Sequence, residues 1–241
     1  MRLLGVDTAA PEEGYVPVTL NTSRGPVAGR YYAAAGSRCG VVWVGGIGGG
    51  WDTPAAGLYP RLARELASAG IASVRVRFRD PTDLDEAVLD VLAGLEYLQA
   101  QGIADAGLVG HSFGGAVVIQ AAAASPVART VVTLATQSYG TDPVRSLGPR
   151  CSILLMHGTD DEVLGPSNSE RVYRLAREPK KLVLLQGASH VLDEAADEVH
   201  HSAREWILQH LGDACGLVSR PGSASGERLA VRQKPKRPGL P

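Results

Sequence analysis

Excess charge of either sign is the first thing this chain lacks. Its 241 residues hold 24 Lys plus Arg against 25 Asp plus Glu, a balance that excludes a dedicated nucleic-acid or polyanion binder. Cysteine is scarce: Cys39, Cys151 and Cys215 are odd in number and far apart. No disulfide framework or zinc spacing can be read from them, and a reducing compartment is expected. No apolar run reaches the length of a membrane span. The start, MRLLGVDTAAPEEG, has one arginine and an apolar stretch of only Leu3 to Val6, too short for the core of a signal peptide. These absences point to a cytoplasmic protein with neither membrane nor nucleic acid as partner. No group of His, Cys and Asp has metal-ligand spacing, so neither metal nor cofactor is expected.

What is present suits one α/β domain. Hydrophobic residues make up 44% of the chain and charged ones 20%, enough to bury a sizeable core. Short apolar runs alternate with amphipathic ones. Eight candidate strands can be marked: 15–21, 27–33, 40–44, 71–78, 106–110, 129–135, 151–157 and 181–186. Helical patterns lie near 58–69, 83–101, 113–124, 167–177 and 196–211. The strongest carries Leu84, Val88, Val91, Leu92, Leu95 and Leu98 at helical spacing. Acidic residues occupy its first turn, where the helix dipole favours them, and Gly102 follows as a stop. Strand and helix alternating this regularly imply a mostly parallel sheet covered on both faces, entered through an antiparallel hairpin that turns at TSRGP. There is no internal repeat. Residues 1–14 read as a flexible start and 15–212 as the domain. Residues 213–241 carry six basic and two acidic side chains in a Pro, Gly and Ser background, a composition that cannot form a core and reads as a disordered tail.

The chemistry gathers around LVGHSFGGAVVIQAAAA. Gly110-His111-Ser112-Phe113-Gly114 is a G-x-S-x-G between a buried strand and an alanine-rich helix. A strand can turn straight into a helix only through a strained corner residue, and the flanking glycines remove side chains that would collide there. Ser112 then stands above the carboxyl ends of the strands, where open α/β sheets bind ligands. A serine hydroxyl needs a base to take its proton and an acid to orient that base. SILLMHGTDDEVL runs a strand into Asp160 and Asp161, and LVLLQGASHVL runs the next into His190. Both ends fall on the same rim as Ser112, in the chain order Ser, Asp, His.

On these residues the sequence resembles an α/β-hydrolase, in the compact lidless form of the dienelactone hydrolase-like group. The resemblance covers about residues 15–211. The family's H-G-x-x-D element corresponds to His157-Gly158-Thr159-Asp160-Asp161, which implies Asp161 as the acid. Its G-x-x-H element corresponds to Gly187-Ala188-Ser189-His190, which implies His190 as the base. The implied fold is an eight-stranded mostly parallel sheet with helices on both faces and no lid domain. An oxyanion hole needs backbone N–H donors. Alignment assigns these to Phe113, just after the nucleophile, and to Ile47 in the loop WVGGIGGGWD, where many relatives carry His-Gly and this chain has Gly45-Gly46. A phosphate-binding reading of that glycine run is the weaker one, because no lysine follows and no G-x-G-x-x-G fits.

The resemblance implies a serine hydrolase acting on a small carboxylic ester or thioester, with a small-molecule acyl substrate as partner. Serine at the corner departs from dienelactone hydrolase itself, whose nucleophile is cysteine, and from dehalogenase and epoxide hydrolase chemistry, which uses aspartate. Acyl transfer or peptide cleavage by the same three residues stays open, as does a hydrolase fold kept as a non-catalytic binder. Trp51, Tyr139 and Leu164 are candidates for the substrate pocket, with Trp51 equally readable as a core residue. His111 and His157 read as packing or hydrogen-bonding elements, and His200 and His201 as a solvated helix face beside Trp206. The connection 136–149 is too short and too rich in Pro and Gly for a lid.

Overall fold

A computed structural model describes residues 1–215. Nine strands form one sheet: β1 (Leu3–Thr8), β2 (Val16–Thr22), β3 (Gly25–Tyr32), β4 (Cys39–Val44), β5 (Ala72–Arg77), β6 (Asp105–His111), β7 (Ala128–Leu134), β8 (Ser152–Gly158) and β9 (Lys180–Leu185). Their order is β1-β2-β3-β5-β4-β6-β7-β8-β9. The first three strands run antiparallel to their neighbours, and β4 through β9 are parallel to one another. Four helices cross between the strands, α1 (Pro54–Ser68), α2 (Leu84–Ala100), α3 (Phe113–Ala124) and α4 (Ser167–Leu175), and α5 (Ala196–Cys215) follows β9.

The two-residue period of a strand sorts the core into two layers. Within β4, Val42 and Val44 join the layer under α2 and α3, whereas Val41 and Trp43 join the layer under α1 and α5. A strand buried on both faces has no polar alternation, and β4 reads CGVVWV for that reason. On one side Val91, Leu95 and Leu98 of α2 meet Val117 and Val118 of α3; on the other Leu58, Leu62 and Leu66 of α1 meet Val199, Ala203 and Ile207 of α5. The α2 start is capped as its sequence suggests, the Asp83 carboxylate accepting the Glu86 N–H at 3.0 Å.

The chain enters the parallel sheet at β4, moves to β5 on one side, then returns to β6 on the other. Strand order reverses between β4 and β6, and a crevice opens above their carboxyl ends at such a point. The β7–β8 connection holds only a 3-10 turn, Asp142–Ser146, so among the described residues no lid is inserted there.

Three expectations change. The sheet has nine strands rather than eight, because residues 1–14 are not a loose start: β1 pairs with β2, and its Leu3 N–H donates to Glu96 at 3.2 Å. Both faces of β1 are largely exposed, so it lacks the alternation by which strands are recognised. The domain also runs past residue 212, since α5 continues to Cys215; the rest of the expected tail, 216–241, lies outside the described residues. Finally, Cys39 and Cys215 are joined in a disulfide across 176 positions, leaving Cys151 free and buried. Spacing could not show this pair, because it depends on α5 packing back along the amino end of β4. The bond removes the ground on which a reducing, cytoplasmic setting was expected. Among the described residues no helix is long and apolar enough to cross a membrane.

A cross-link closing so long a loop stabilises chiefly by restricting the unfolded chain. Cys215→Ser is expected to lower the unfolding free energy by about 2–4 kcal/mol, with reductant abolishing the difference in urea titrations. A chain ending at Cys215 should keep the parent melting temperature.

Candidate active site

The β6–α3 corner is built by backbone crowding. A Cβ placed on Gly110 would lie 2.2 Å from the Gly114 carbonyl oxygen, and one on Gly114 would lie 2.2 Å from the Gly45 carbonyl oxygen. Only hydrogen fits at either place. Ser112 between them has φ 56° and ψ −118°, a left-handed strain that a non-glycine residue adopts only when its surroundings impose it. Its N–H donates to Leu134 O at 2.8 Å and its carbonyl accepts from Gly115 N at 3.0 Å, which pins the corner to β7 and to α3.

Asp161 follows β8 and its side chain is fully buried. One oxygen, Oδ1, accepts the backbone N–H groups of Val163 (2.9 Å) and Leu164 (2.8 Å). The other, Oδ2, accepts Nδ1–H of His190 at 2.7 Å. Asp160 turns away, exposed, its Oδ1 accepting the Thr159 hydroxyl at 2.9 Å. The adjacent acids are thus separated by geometry: only Asp161 reaches the histidine. With Nδ1 donating, Nε2 of His190 is the ring nitrogen left with a lone pair.

Two further histidines support this pair. His157 sits beneath the carboxylate, its Nε2 2.7 Å from Leu164 O and 3.0 Å from Asp161 Oδ2, while its Nδ1 accepts the Ser169 hydroxyl at 2.6 Å. His111 donates Nε2–H to His190 O at 3.0 Å, with ring centroids 4.8 Å apart. Its buried Nδ1 has no partner. Burial pushes the Asp161 carboxyl up, but the His190 hydrogen bond and the Leu164 and Val163 amides outweigh it, so the group lies below the ordinary carboxylate range. Burial pushes both His157 and His111 down, which keeps them neutral.

The His190 loop is clamped from α1. Ala55, Ala56 and Gly57 adopt three consecutive left-handed conformations, with φ 51°, 49° and 84°. In that turn Ala55 N–H donates to Val191 O and Ala56 N–H to the Asp193 carboxylate, both at 2.7 Å.

Ser112 and His190 line one cavity of about 200 Å³ with Gly46, Ile47 and His111. No direct hydrogen bond joins the Ser112 hydroxyl to the imidazole; such contacts are often loose before substrate binds. The backbone N–H groups of Ile47 and Phe113 have no intramolecular acceptor among the described residues. The expected pocket side chains are placed elsewhere. Trp51 faces the guanidinium of Arg30, 4.3 Å from its ring, and its carbonyl accepts from Arg75. Tyr139, 79% exposed, borders a separate cavity with Gln120 and Arg171. Leu164 serves Asp161 and His157 through its backbone. The side chains that do line the cavity are Val163, Val191 and Asp52, and the first two directly follow the Asp161 and His190 elements. Of the remaining histidines, His200 pairs with Glu65 at 3.0 Å and Trp206 donates to the Thr130 hydroxyl at 2.8 Å. No cluster of three or more His, Cys, Asp or Glu suited to a metal occurs among the described residues.

This architecture is the α/β-hydrolase fold. Dienelactone hydrolase of Anabaena variabilis superposes with a TM-score of 0.69 at 21% identity, covering 81% of this chain and 97% of that one. An α/β serine hydrolase without lid from Xanthomonas campestris gives 0.64 at 20% identity, covering 83% and 97%. The esterase domain of a Rhodothermus marinus protein gives 0.65 at 20% identity, covering 86% and 100%. No family model matches the sequence. The uncharacterised protein YfhR of Escherichia coli is 34% identical over 82 residues, 32% of this chain and 28% of YfhR. The match therefore spans little more than a quarter of that curated relative.

A histidine held neutral by burial has a folded pKa below its unfolded value of about 6.5. The unfolded chain therefore binds more protons in that window, and stability falls as pH drops from 7 through 6.5 towards the folded value. The expected slope is at most about 1.4 kcal/mol per pH unit for each such group. Urea unfolding at pH 7.5 and 5.5 should show the loss, and His157→Asn should make it shallower.

Proposed function

We propose that the chain is a serine hydrolase that cleaves small carboxylic esters or thioesters through an acyl-enzyme. The observation that carries this reading is the 2.7 Å hydrogen bond from His190 Nδ1–H to Asp161 Oδ2, placed beside a strained serine in one cavity. Ser112 Oγ attacks the carbonyl carbon while His190 Nε2 takes its proton. Asp161 keeps the imidazole in the required tautomer and stabilises the imidazolium that forms. The Ile47 and Phe113 N–H groups receive the oxyanion, and the positive end of the α3 dipole adds to them. Collapse expels the alcohol or thiol, which takes the proton from His190; water then repeats the sequence and frees the acid. The relatives named dienelactone hydrolase and esterase support this direction of chemistry.

Three variants and a covalent probe test it. Ser112→Ala should lose about 10³-fold or more in kcat and all labelling by a fluorophosphonate, with an unchanged melting curve. Asp161→Asn should lose most of the turnover, whereas Asp160→Asn should lose little. Labelling without ester turnover would favour acyl transfer or peptide cleavage, and no labelling would favour a binder.

A cavity of about 200 Å³ under an open rim limits the acyl group. Each buried methylene contributes about 0.8 kcal/mol until the space is full. Across a p-nitrophenyl ester series, kcat/KM is expected to peak at acyl chains of about two to six carbons, with no activation at a lipid interface. A maximum at long chains would overturn the small-substrate reading.

A further inference from the structure

The cavity at Ser112 adjoins a larger one. The two share Val163, His190 and Val191, and the second, of about 460 Å³, extends over Gly187 and Ser189. The direction matters. The leaving oxygen must face the proton on His190, which borders both cavities, and the alcohol half of an ester is assigned to the larger one. The smaller space under Gly46 and Ile47 keeps the acyl half.

The joint groove carries charge of one sign. Asp52 borders the acyl end, and Asp160, Glu162 and Glu194 border the alcohol end, without a lysine or arginine in either lining. Elsewhere the carboxylates of Glu65, Glu86, Asp90 and Asp105 are paired with arginines. Among the described residues none of the four groove carboxylates enters an ion pair. Three of them are held in place: Glu194 by the Ser189 N–H and hydroxyl, Asp160 by the Thr159 hydroxyl, and Asp52 by the Thr53 N–H. Between the charges stand apolar side chains open to solvent, Ile47 (61% exposed), Val163 (69%) and Val191 (44%). At the floor, the partnerless Nδ1 of His111, a residue only 3% exposed, faces Gly46, where an added Cβ would lie 3.4 Å away. Apart from the reacting hydroxyl, these side chains offer acceptors and negative charge rather than donors.

Resting on the hydrolase reading above, we propose that this groove selects esters whose alcohol half carries a positive charge on an apolar stem, an ammonium alcohol, and rejects anionic ones. The methylenes and methyl groups of such an alcohol cover Val163 and Val191, and its cationic head lies among Asp160, Glu162 and Glu194. A cleft lined by one sign of charge concentrates the opposite sign near its walls, an effect that salt screens.

An isosteric pair isolates the charge. 3,3-Dimethylbutyl acetate and 2-(trimethylammonio)ethyl acetate differ at a single atom, carbon against N⁺, and 2-acetoxyethanesulfonate supplies the opposite sign. At low ionic strength the cationic ester should exceed the neutral one in kcat/KM by about tenfold, with the anionic ester below both. The ratio should fall at least about threefold in 0.5 M NaCl and by a similar factor in the Asp160→Asn, Glu162→Gln double variant. A ratio of one or less, or one indifferent to salt and to both substitutions, overturns the proposal. If that happens while fluorophosphonate still labels Ser112, only the charge selectivity fails. If Ser112 is not labelled and neither acetate is cleaved, the hydrolase reading fails and this inference falls with it.

Discussion

Three stretches of backbone meet without side chains between them at the switch point of the sheet: the end of β4 at Gly45, the end of β6 at Gly110, and the first turn of α3 at Gly114. Much of the site follows from that contact. It forces Ser112 into a left-handed conformation and sets α3 close against the β4 loop. Replacing either Gly110 or Gly114 by alanine would set a methyl group against a carbonyl oxygen at 2.2 Å, a collision that no rotamer relieves because both partners are main chain.

On the other side of the crevice the limiting cost is the burial of a carboxylate. Asp161 is fully enclosed, and an ion in that setting persists only with its lone pairs occupied. Two amides serve Oδ1, while His190 and His157 approach Oδ2. His157 is fixed in turn by Ser169 and by the Leu164 carbonyl. The short loop after β8 thus turns back on its own carboxylate, and Leu164 serves through its main chain, whatever its side chain. Nothing in its residue type signals that role.

Residues whose position follows from a strand end were legible in the sequence, and residues whose position follows from a loop path were not. Ser112, Asp161 and His190 each terminate or closely follow a buried strand, so the order of the strands brings them to one rim. Trp51 lies in a loop, and its direction is decided by Arg30 and Arg75 on neighbouring strands, a tertiary contact with no local signature. Val163 and Val191 stand beside the acid and the base and line the cavity, but nothing in their residue type marks them for it. β1 carries no sequence signal because an edge strand exposed on both faces has no amphipathic period, and the Cys39–Cys215 bond carries none because its partners lie 176 positions apart.

That bond also has a bearing on how the molecule can be handled and attached. Cys39 opens β4, whereas the crevice lies beyond the other end of the same strand at Gly45. Six residues of strand separate them, roughly 20 Å at the usual rise. Cys215 is therefore anchored on the rim opposite the crevice, and a tether, surface or fused domain joined after it would pull on the base of the sheet while the mouth of the groove faces away.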